Sequence, residues 1–240
     1  MRASGILLHI SSLPSPYGIG TFGEAAYEFI DFLVSGKQKY WQVLPLGPTS
    51  YGDSPYQTFS AYAGNPYFID LDLLIEAGLL SPSECQNLET RDPCKVDYGY
   101  QFEKRIPVLK LAFKRFSMRE VIDYRAFKEE QPWLDNYALF MALKWRSPEK
   151  SWDQWEPEYK KKDPEALARF QEEHFEEIEF WKFLQYQFFK QWYNLKKYAN
   201  ERGVQIIGDM PIYVAYDSCD VWAQPHYWQL DDELNPRTVA

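Results

Sequence analysis

One segment of the chain, residues 51–71, carries side chains suited to binding a polar ligand with flat faces. It holds Tyr51, Tyr56, Tyr62 and Tyr67 among serine, aspartate and glutamine residues, and its prolines and glycines disfavour a regular helix or strand. Because a phenol needs a hydrogen-bond partner or water, we expect this tyrosine-rich loop to stay partly open. Sugars suit such a surface, since their C–H faces stack on rings while their hydroxyls bond to polar groups. By composition alone, a surface loop with locally packed aromatic side chains is equally possible.

The chain has 35 aspartates and glutamates, so that choosing pairs of carboxylates as catalytic groups from the sequence alone has little support. One carboxylate nevertheless stands out by its position. Asp209 follows an apolar run, residues 204–208, and precedes Pro211. In α/β barrels the site residues lie at the carboxyl ends of strands, so a functional role for Asp209 is favoured over a cap or a turn. Asp53, in the sequence G-D-S-P, stays open between a site residue and a turn residue.

Other kinds of chemistry have less support in the sequence. His9, His174 and His226 are scattered, no serine lies in G-x-S-x-G, and no ligand set has convincing metal spacing. His9 is expected to be a satisfied core residue within the first strand. Residues 18–23 match G-x-G-x-x-G, but two prolines separate them from that strand and no acidic residue follows about 20 positions later. They are predicted to form a tight loop and a helix start, and we expect no cofactor and no metal.

Strand and helix patterns surround these candidate residues. The sequence predicts strands over 5–10, 40–44 and 204–208, and an amphipathic helix over 22–35 with Ala25, Ala26, Phe29, Phe32 and Leu33 on its apolar side. A capping box of Thr21 and Glu24 would begin this helix and Gly36 would end it. A long helix over 175–201 precedes the third strand, and its aromatic stripe is interpreted as core packing.

The order of these elements predicts an α/β fold of the (β/α)8 barrel type, of which about the first three strands are present. The connection between strands two and three is far longer than a normal crossover and is helical in pattern, so we expect a large inserted helical subdomain. The predicted divisions are 1–75 for the first part of the barrel with the tyrosine-rich loop, 76–200 for the helical insertion and a barrel helix, and 201–240 for the third strand and its loop. The tyrosine-rich loop and Asp209 would then lie on the same barrel face.

Composition excludes several classes of protein. A net charge of −9 argues against a nucleic-acid partner, and no window resembles a membrane-spanning helix or a signal peptide. Three cysteines, an odd number without C-x-x-C spacing, are expected to be reduced thiols. We therefore predict a cytoplasmic protein without a membrane partner, and the oligomeric state stays open.

Several long segments resemble the 4-α-glucanotransferases (amylomaltase, or disproportionating enzyme), relatives of the α-amylases. The matching segments are G-I-L-L-H-I-S-S-L-P-S-P-Y-G-I-G at 5–20, W-Q-V-L-P-L-G-P at 41–48, Y-G-D-S-P-Y-Q at 51–57, A-G-N-P-Y at 63–67, V-D-Y-G at 96–99 and G-D-M-P-I-Y-V-A-Y-D-S-C-D-V-W at 208–222. They follow the family order across essentially the whole chain, which makes the resemblance specific.

The resemblance implies a barrel enzyme that cuts and religates α-1,4-glucans with retention, acting on glucan or maltodextrin in starch, glycogen or maltodextrin metabolism. Tyr56 and Ser54 are similar to residues at the cleavage subsites, with Asp53 beside them. Tyr51 is similar to part of a further glucan-contacting surface. Asp209 is similar to the acidic residue that ends the third strand and orients the catalytic groups.

One family segment has no counterpart among these 240 residues. The nucleophilic aspartate of the family lies in R-x-D after a fourth strand, and no such triplet follows Gly208. We therefore expect the nucleophile and the acid/base to lie beyond Ala240, and these residues alone to be inactive as the N-terminal part of such an enzyme. A non-catalytic α-glucan-binding module is the alternative, and a helical interaction protein is a third, weaker hypothesis.

Overall fold

The computed structural model describes residues 2–50, 52–88, 92, 94–117 and 121–238. The strands are β1 (Gly5–Leu7), β2 (Tyr40–Gln42) and β3 (Gln205–Ile207). The α-helices are α1 (Glu24–Ser35), α2 (Leu71–Glu76), α3 (Pro82–Cys85), α4 (Tyr98–Tyr100), α5 (Ile106–Phe116), α6 (Ile122–Glu130), α7 (Leu134–Arg146), α8 (Pro157–Lys160), α9 (Pro164–Glu173), α10 (Phe175–Glu201) and α11 (Cys219–Ala223). A π-helix (Gln101–Arg105) joins α4 to α5, and short 3-10 helices cover Ile10–Ser12, Pro66–Phe68, Gln86–Leu88, Trp152–Gln154 and Pro225–Tyr227.

The three strands form one parallel sheet in the order β1-β2-β3. Gly5 pairs with Tyr40, and Tyr40 pairs with Gln205. Trp41, at the centre of β2, is fully buried and donates its indole N–H to the Leu8 carbonyl over 2.7 Å. The predicted mixed α/β class with parallel strands is therefore confirmed.

The chain forms two compact units, each made of separated segments. The first contains residues 1–46, 64–122 and 184–210, and therefore the whole sheet. The second contains residues 47–63, 123–183 and 211–240. The divisions at residues 75 and 200 stay a prediction.

In the first unit, two glutamines of α10 bond both backbone groups of residues in the 64–70 segment. Gln185 accepts from the Gly64 N–H at 2.7 Å and donates to the Gly64 carbonyl at 3.0 Å. Gln191 accepts from the Asp70 N–H at 2.7 Å and donates to the Asp70 carbonyl at 3.1 Å. All four residues are buried. These amides satisfy backbone groups that have no sheet partner, as buried peptide groups require.

The second unit has an aromatic core around α7. Phe140, on α7, lies 5.3 Å from Trp155 and 5.8 Å from Trp222 between ring centroids. Lys144, one turn further along, pairs with Asp217 at 2.6 Å and has an 8% exposed side chain. A buried lysine is tolerated because its ammonium has a carboxylate partner.

The structure corrects several boundary and capping predictions. Each strand covers three residues rather than the five or six predicted, and Ile10 enters a 3-10 helix. Backbone hydrogen bonds from Leu8 to Gln42 and from Val43 to Ile207 lie just beyond the ends of the strands. Helix α1 begins at Glu24 with Gly23 as its cap, so the capping box was wrong. Thr21 instead donates to Asp70 over 2.6 Å. Phe32 is 59% exposed rather than buried.

The glycine motif at residues 18–23 forms a tight loop that leads into α1. Gly18 has a positive φ of 79°. A Cβ on Gly20 would lie 1.9 Å from the Ile10 carbonyl oxygen, so only glycine fits there. The motif therefore serves close backbone packing.

His9 lies outside β1, contrary to the prediction, and caps the following 3-10 helix. It is buried, its ring meets Phe68 edge-on at 5.3 Å, and its Nδ1 has no hydrogen-bond partner. The expectation of a fully satisfied histidine was therefore wrong. Burial lowers the pKa of His9 to about 4.

The lowered pKa of His9 predicts that the chain loses stability in mild acid. The unfolded chain protonates His9 below about pH 6.5, whereas the folded chain resists protonation until about pH 4. The stability that neutral His9 contributes to the folded chain is fully present above pH 6.5 and is lost as the pH falls towards 4. We expect the free energy of unfolding to drop by about 2 kcal/mol from this group between pH 7.5 and pH 5. Urea unfolding at both pH values measures the drop. His9→Leu should reduce it, whereas His226→Leu, at an exposed position, should retain it.

Candidate functional site

The tyrosine-rich loop begins as a tight hairpin in the second unit. Thr49 and Thr58 form an antiparallel bridge, and the Ser50 N–H donates to the Gln57 carbonyl at 3.1 Å. Gly52 and Asp53 close the turn with positive φ values of 84° and 57°. Glycine and aspartate tolerate this conformation better than most residues, which explains G-D at this position.

The hairpin brings together two of the predicted glucan-contacting residues. The Tyr56 N–H donates to the Ser54 hydroxyl at 3.3 Å, and Tyr56 is 45% exposed. Asp53 is exposed at the tip of the same turn. Tyr51 lies outside the described residues. The hairpin thus presents a phenol, a hydroxyl and a carboxylate on one short loop.

Asp209 lies two residues beyond the end of β3, in the first unit. Its carboxylate is exposed, and one oxygen accepts from the Met210 N–H at 2.8 Å. The common barrel face that would join Asp209 to the hairpin stays a prediction.

A cavity of about 340 Å³ lies within the second unit, in the range typical of small-molecule sites. Tyr62 and Trp133 line it with nearly parallel rings, 6.4 Å between centroids and 16° between planes. Asn136, Gln224 and Trp228 also line it. Its surface therefore combines aromatic faces with amide groups.

Asp220 supplies the carboxylate of this cavity. One oxygen accepts from the Ala61 N–H at 2.7 Å, and the other accepts from the Ser60 hydroxyl at 3.4 Å. Burial raises the pKa of Asp220, while these two hydrogen bonds act in the opposite direction. Because an ionised carboxylate accepts about four hydrogen bonds, Asp220 has capacity left for a ligand.

The sequence did not single out this cavity. Tyr62 belongs to the tyrosine-rich loop and Asp220 to the segment D-S-C-D-V-W, but nothing local connects them with Trp133. The Ala61–Asp220 hydrogen bond spans 159 positions along the chain. Such a long-range contact leaves no periodicity in the sequence.

Three further observations concern metal ions, membranes and cysteines. Among the described residues, no group of three or more histidine, cysteine, aspartate and glutamate side chains is arranged to hold a metal ion. In the same part of the chain, no helix has the length and apolar character needed to cross a membrane. Cys85, Cys94 and Cys219 are unpaired thiols.

Comparison with known proteins identifies the class to which this fold belongs. The family model Glyco_hydro_77, described as 4-alpha-glucanotransferase, matches residues 8–235. The chain therefore belongs to the 4-alpha-glucanotransferase family.

Individual relatives agree with the family match. The chain is 50% identical over 236 residues to a 4-alpha-glucanotransferase of Clostridium butyricum, covering 97% of this chain and 48% of that protein. It is 47% identical to a 4-alpha-glucanotransferase of Thermus thermophilus, and the match covers 100% of this chain and 48% of that protein. Amylomaltase from Streptococcus agalactiae in complex with acarbose matches with a TM-score of 0.97 and 48% identity, covering 100% of this chain and 49% of that one. The chain spans about half the length of the relatives it matches.

Proposed function

We propose that the protein containing this chain is a 4-α-glucanotransferase that moves segments of α-1,4-glucan to glucose or maltodextrin acceptors with retention of configuration. The family match over residues 8–235 carries this proposal. The likeness to an amylomaltase whose structure holds acarbose supports a glucan as substrate. The cytoplasmic location and the absence of nucleic-acid and membrane partners stay predictions.

The fold proposed for this protein is a (β/α)8 barrel, with the helices between β2 and β3 as an insertion. Leu7 and Ile207 pair with Gln42 at the same level of the sheet, so their side chains point to one face. They are 55% and 43% exposed. An exposed apolar row on a parallel sheet supports further covering structure, because such sheets are buried on both faces.

The exposed polar groups suggest how this part of the protein would serve transfer. Ser54 and Tyr56 would hold the glucan at the bond to be cut, with Asp53 beside them, and Tyr51 would contact the chain further away. Asp209 would bind substrate and orient the catalytic groups. Retention needs a nucleophilic carboxylate and an acid/base about 5 Å apart. Because no R-x-D follows Gly208, we propose that these two groups are not among the 240 residues.

Maltotriose tests the proposed reaction. Incubation with the full-length protein should yield glucose together with longer maltodextrins, which chromatography resolves. The 240-residue chain by itself should yield neither. Glucose and maltose without longer products would contradict transfer in favour of hydrolysis. Transfer by the isolated chain would contradict the proposed position of the nucleophile.

The role proposed for Asp209 predicts a modest loss of catalysis when its charge is removed. Asp209→Asn keeps the shape and the acceptor for the Met210 N–H but loses the negative charge that would orient the catalytic groups. We expect kcat for maltotriose transfer to fall about tenfold, equivalent to about 1.4 kcal/mol in the barrier. Asp232→Asn, at another exposed aspartate, is the matched control and should leave kcat unchanged. An unchanged kcat in Asp209→Asn would remove Asp209 from the proposed site.

A non-catalytic α-glucan-binding module is the second candidate function, favoured by the aromatic cavity of the second unit. Maltodextrin binding without any transfer by the full-length protein would support this candidate. Transfer at an enzyme-like rate would reject it.

A further inference from the structure

The cavity beside Tyr62 has a wall suited to a sugar ring. Tyr62 is 63% exposed. Its ring is nearly parallel to that of Trp133, with an angle of 16° between the two ring planes. Trp133 is held in turn by Tyr137, whose buried ring meets it edge-on at 5.9 Å. The wall is therefore fixed on its inner side and open on its outer side. Aromatic residues with an apolar body and a polar tip are typical of sites that are partly wet.

Polar groups lie around this wall at positions that hydroxyls of a sugar could use. Asp220 keeps acceptor capacity beyond its bonds to Ala61 and Ser60. Asn136 and Gln224 contribute amides that both donate and accept. A ligand with many hydroxyls satisfies a carboxylate and two amides together, whereas an apolar ligand would leave them without partners.

We propose that this cavity is an additional glucan subsite, which holds glucosyl units of an α-1,4-glucan between the Tyr62–Trp133 wall and the Asp220 carboxylate. The choice of an α-1,4-glucan rests on the proposed function. The site is separate from the hairpin residues Ser54 and Tyr56, which do not line the cavity. Because Ser54 and Tyr56 do not line this cavity, it should affect the affinity for long glucans and not the bond that is cut.

Tryptophan NMR provides a direct test on the full-length protein. The indole N–H signals of a ¹⁵N-tryptophan sample are assigned by Trp133→Phe and Trp228→Phe, and the probe is maltohexaose. We expect the signals of Trp133 and Trp228 to shift as maltohexaose is added. Tyr62→Ala should weaken this binding about tenfold, the equivalent of one stacking contact. Cellohexaose, with β-1,4 links, should bind more weakly; equal binding of both oligosaccharides would overturn the assignment to α-glucans.

The matched control is Phe175→Ala. Phe175 is also 63% exposed and lies in the second unit, but it does not line the cavity. The Phe175→Ala variant should leave the maltohexaose titration of the Trp133 signal unchanged. Asp220→Asn keeps an acceptor for the Ala61 N–H and should also weaken binding. Loss of affinity in Phe175→Ala to the same extent as in Tyr62→Ala would overturn the proposal, as would an unshifted Trp133 signal at saturating maltohexaose.

Kinetics separate the failure of this inference from the failure of the proposed function. Tyr62→Ala should raise KM for long maltodextrins more than KM for maltotriose, whereas Phe175→Ala should leave both KM values unchanged. Transfer activity with an unaltered KM in Tyr62→Ala would overturn the subsite while the glucanotransferase proposal stands. A maltohexaose titration of the Trp133 signal that Tyr62→Ala weakens about tenfold, in a protein without transfer activity, would support the subsite while the proposed function fails.

Discussion

Replacing Lys144 by methionine is expected to lower the free energy of unfolding by about 3 kcal/mol, because it leaves the partly buried carboxylate of Asp217 without its cation. The Lys144 ammonium lies 2.6 Å from Asp217 and also donates to the Lys150 carbonyl. It lies 5.5 Å from the centre of the Phe59 ring. One side chain thus joins three segments of the second unit, and urea unfolding followed by circular dichroism measures its loss.

A double variant shows whether the orphaned charge causes the effect. Asp217 also accepts from the Trp152 N–H at 3.2 Å, and asparagine can keep that bond. Lys144→Met combined with Asp217→Asn should therefore recover most of the lost stability. The control is Lys197→Met, whose exposed pair with Glu201 spans 3.9 Å and should contribute less than about 0.5 kcal/mol. A cost below 1 kcal/mol in Lys144→Met would show that this ion pair is dispensable.

Replacing Gln185 by leucine is the second change with a large expected effect. Leucine fills a similar volume but leaves the N–H and the carbonyl of Gly64 without their partners inside the first unit. Each orphaned buried backbone group costs about 1–3 kcal/mol, so we expect the free energy of unfolding to fall by about 3 kcal/mol. Gly64 is buried and closely packed, since a Cβ there would lie 2.2 Å from the Phe188 ring.

Two further substitutions serve as comparisons for Gln185→Leu, one at an equivalent buried glutamine and one at an exposed glutamine. Gln191→Leu removes the equivalent pair of bonds to Asp70 and should cost a similar amount. Gln38→Leu removes an exposed side-chain bond to the Gly36 carbonyl and should change stability by less than about 0.5 kcal/mol. Equal midpoints for Gln185→Leu and Gln38→Leu in urea unfolding would contradict the importance of the buried amide.

Local patterns were enough to predict much of the first unit. The three strands, their parallel order and helix α1 follow from apolar runs and from turn residues at their ends. The aromatic stripe of α10 was predicted as core, and Phe188 and Leu195 are fully or nearly fully buried. Capping was predicted less well, because Thr21 finds a better partner in Asp70, 49 positions away. A pattern of neighbouring residues does not indicate that a distant carboxylate will bind the hydroxyl that was predicted to cap the helix.

The sequence by itself determined the family, because its long motifs occur in the family order, and it determined the helices and strands whose periodicity repeats over several turns or residues. Tertiary structure alone decided that the cavity exists, because Tyr62, Trp133 and Asp220 come from three distant segments. It also decided that Gln185 and Gln191 replace a sheet partner for the 64–70 segment. The physical reason is the same in both cases. Burial forces each polar group to find a partner in space, and local sequence does not record which distant group that will be.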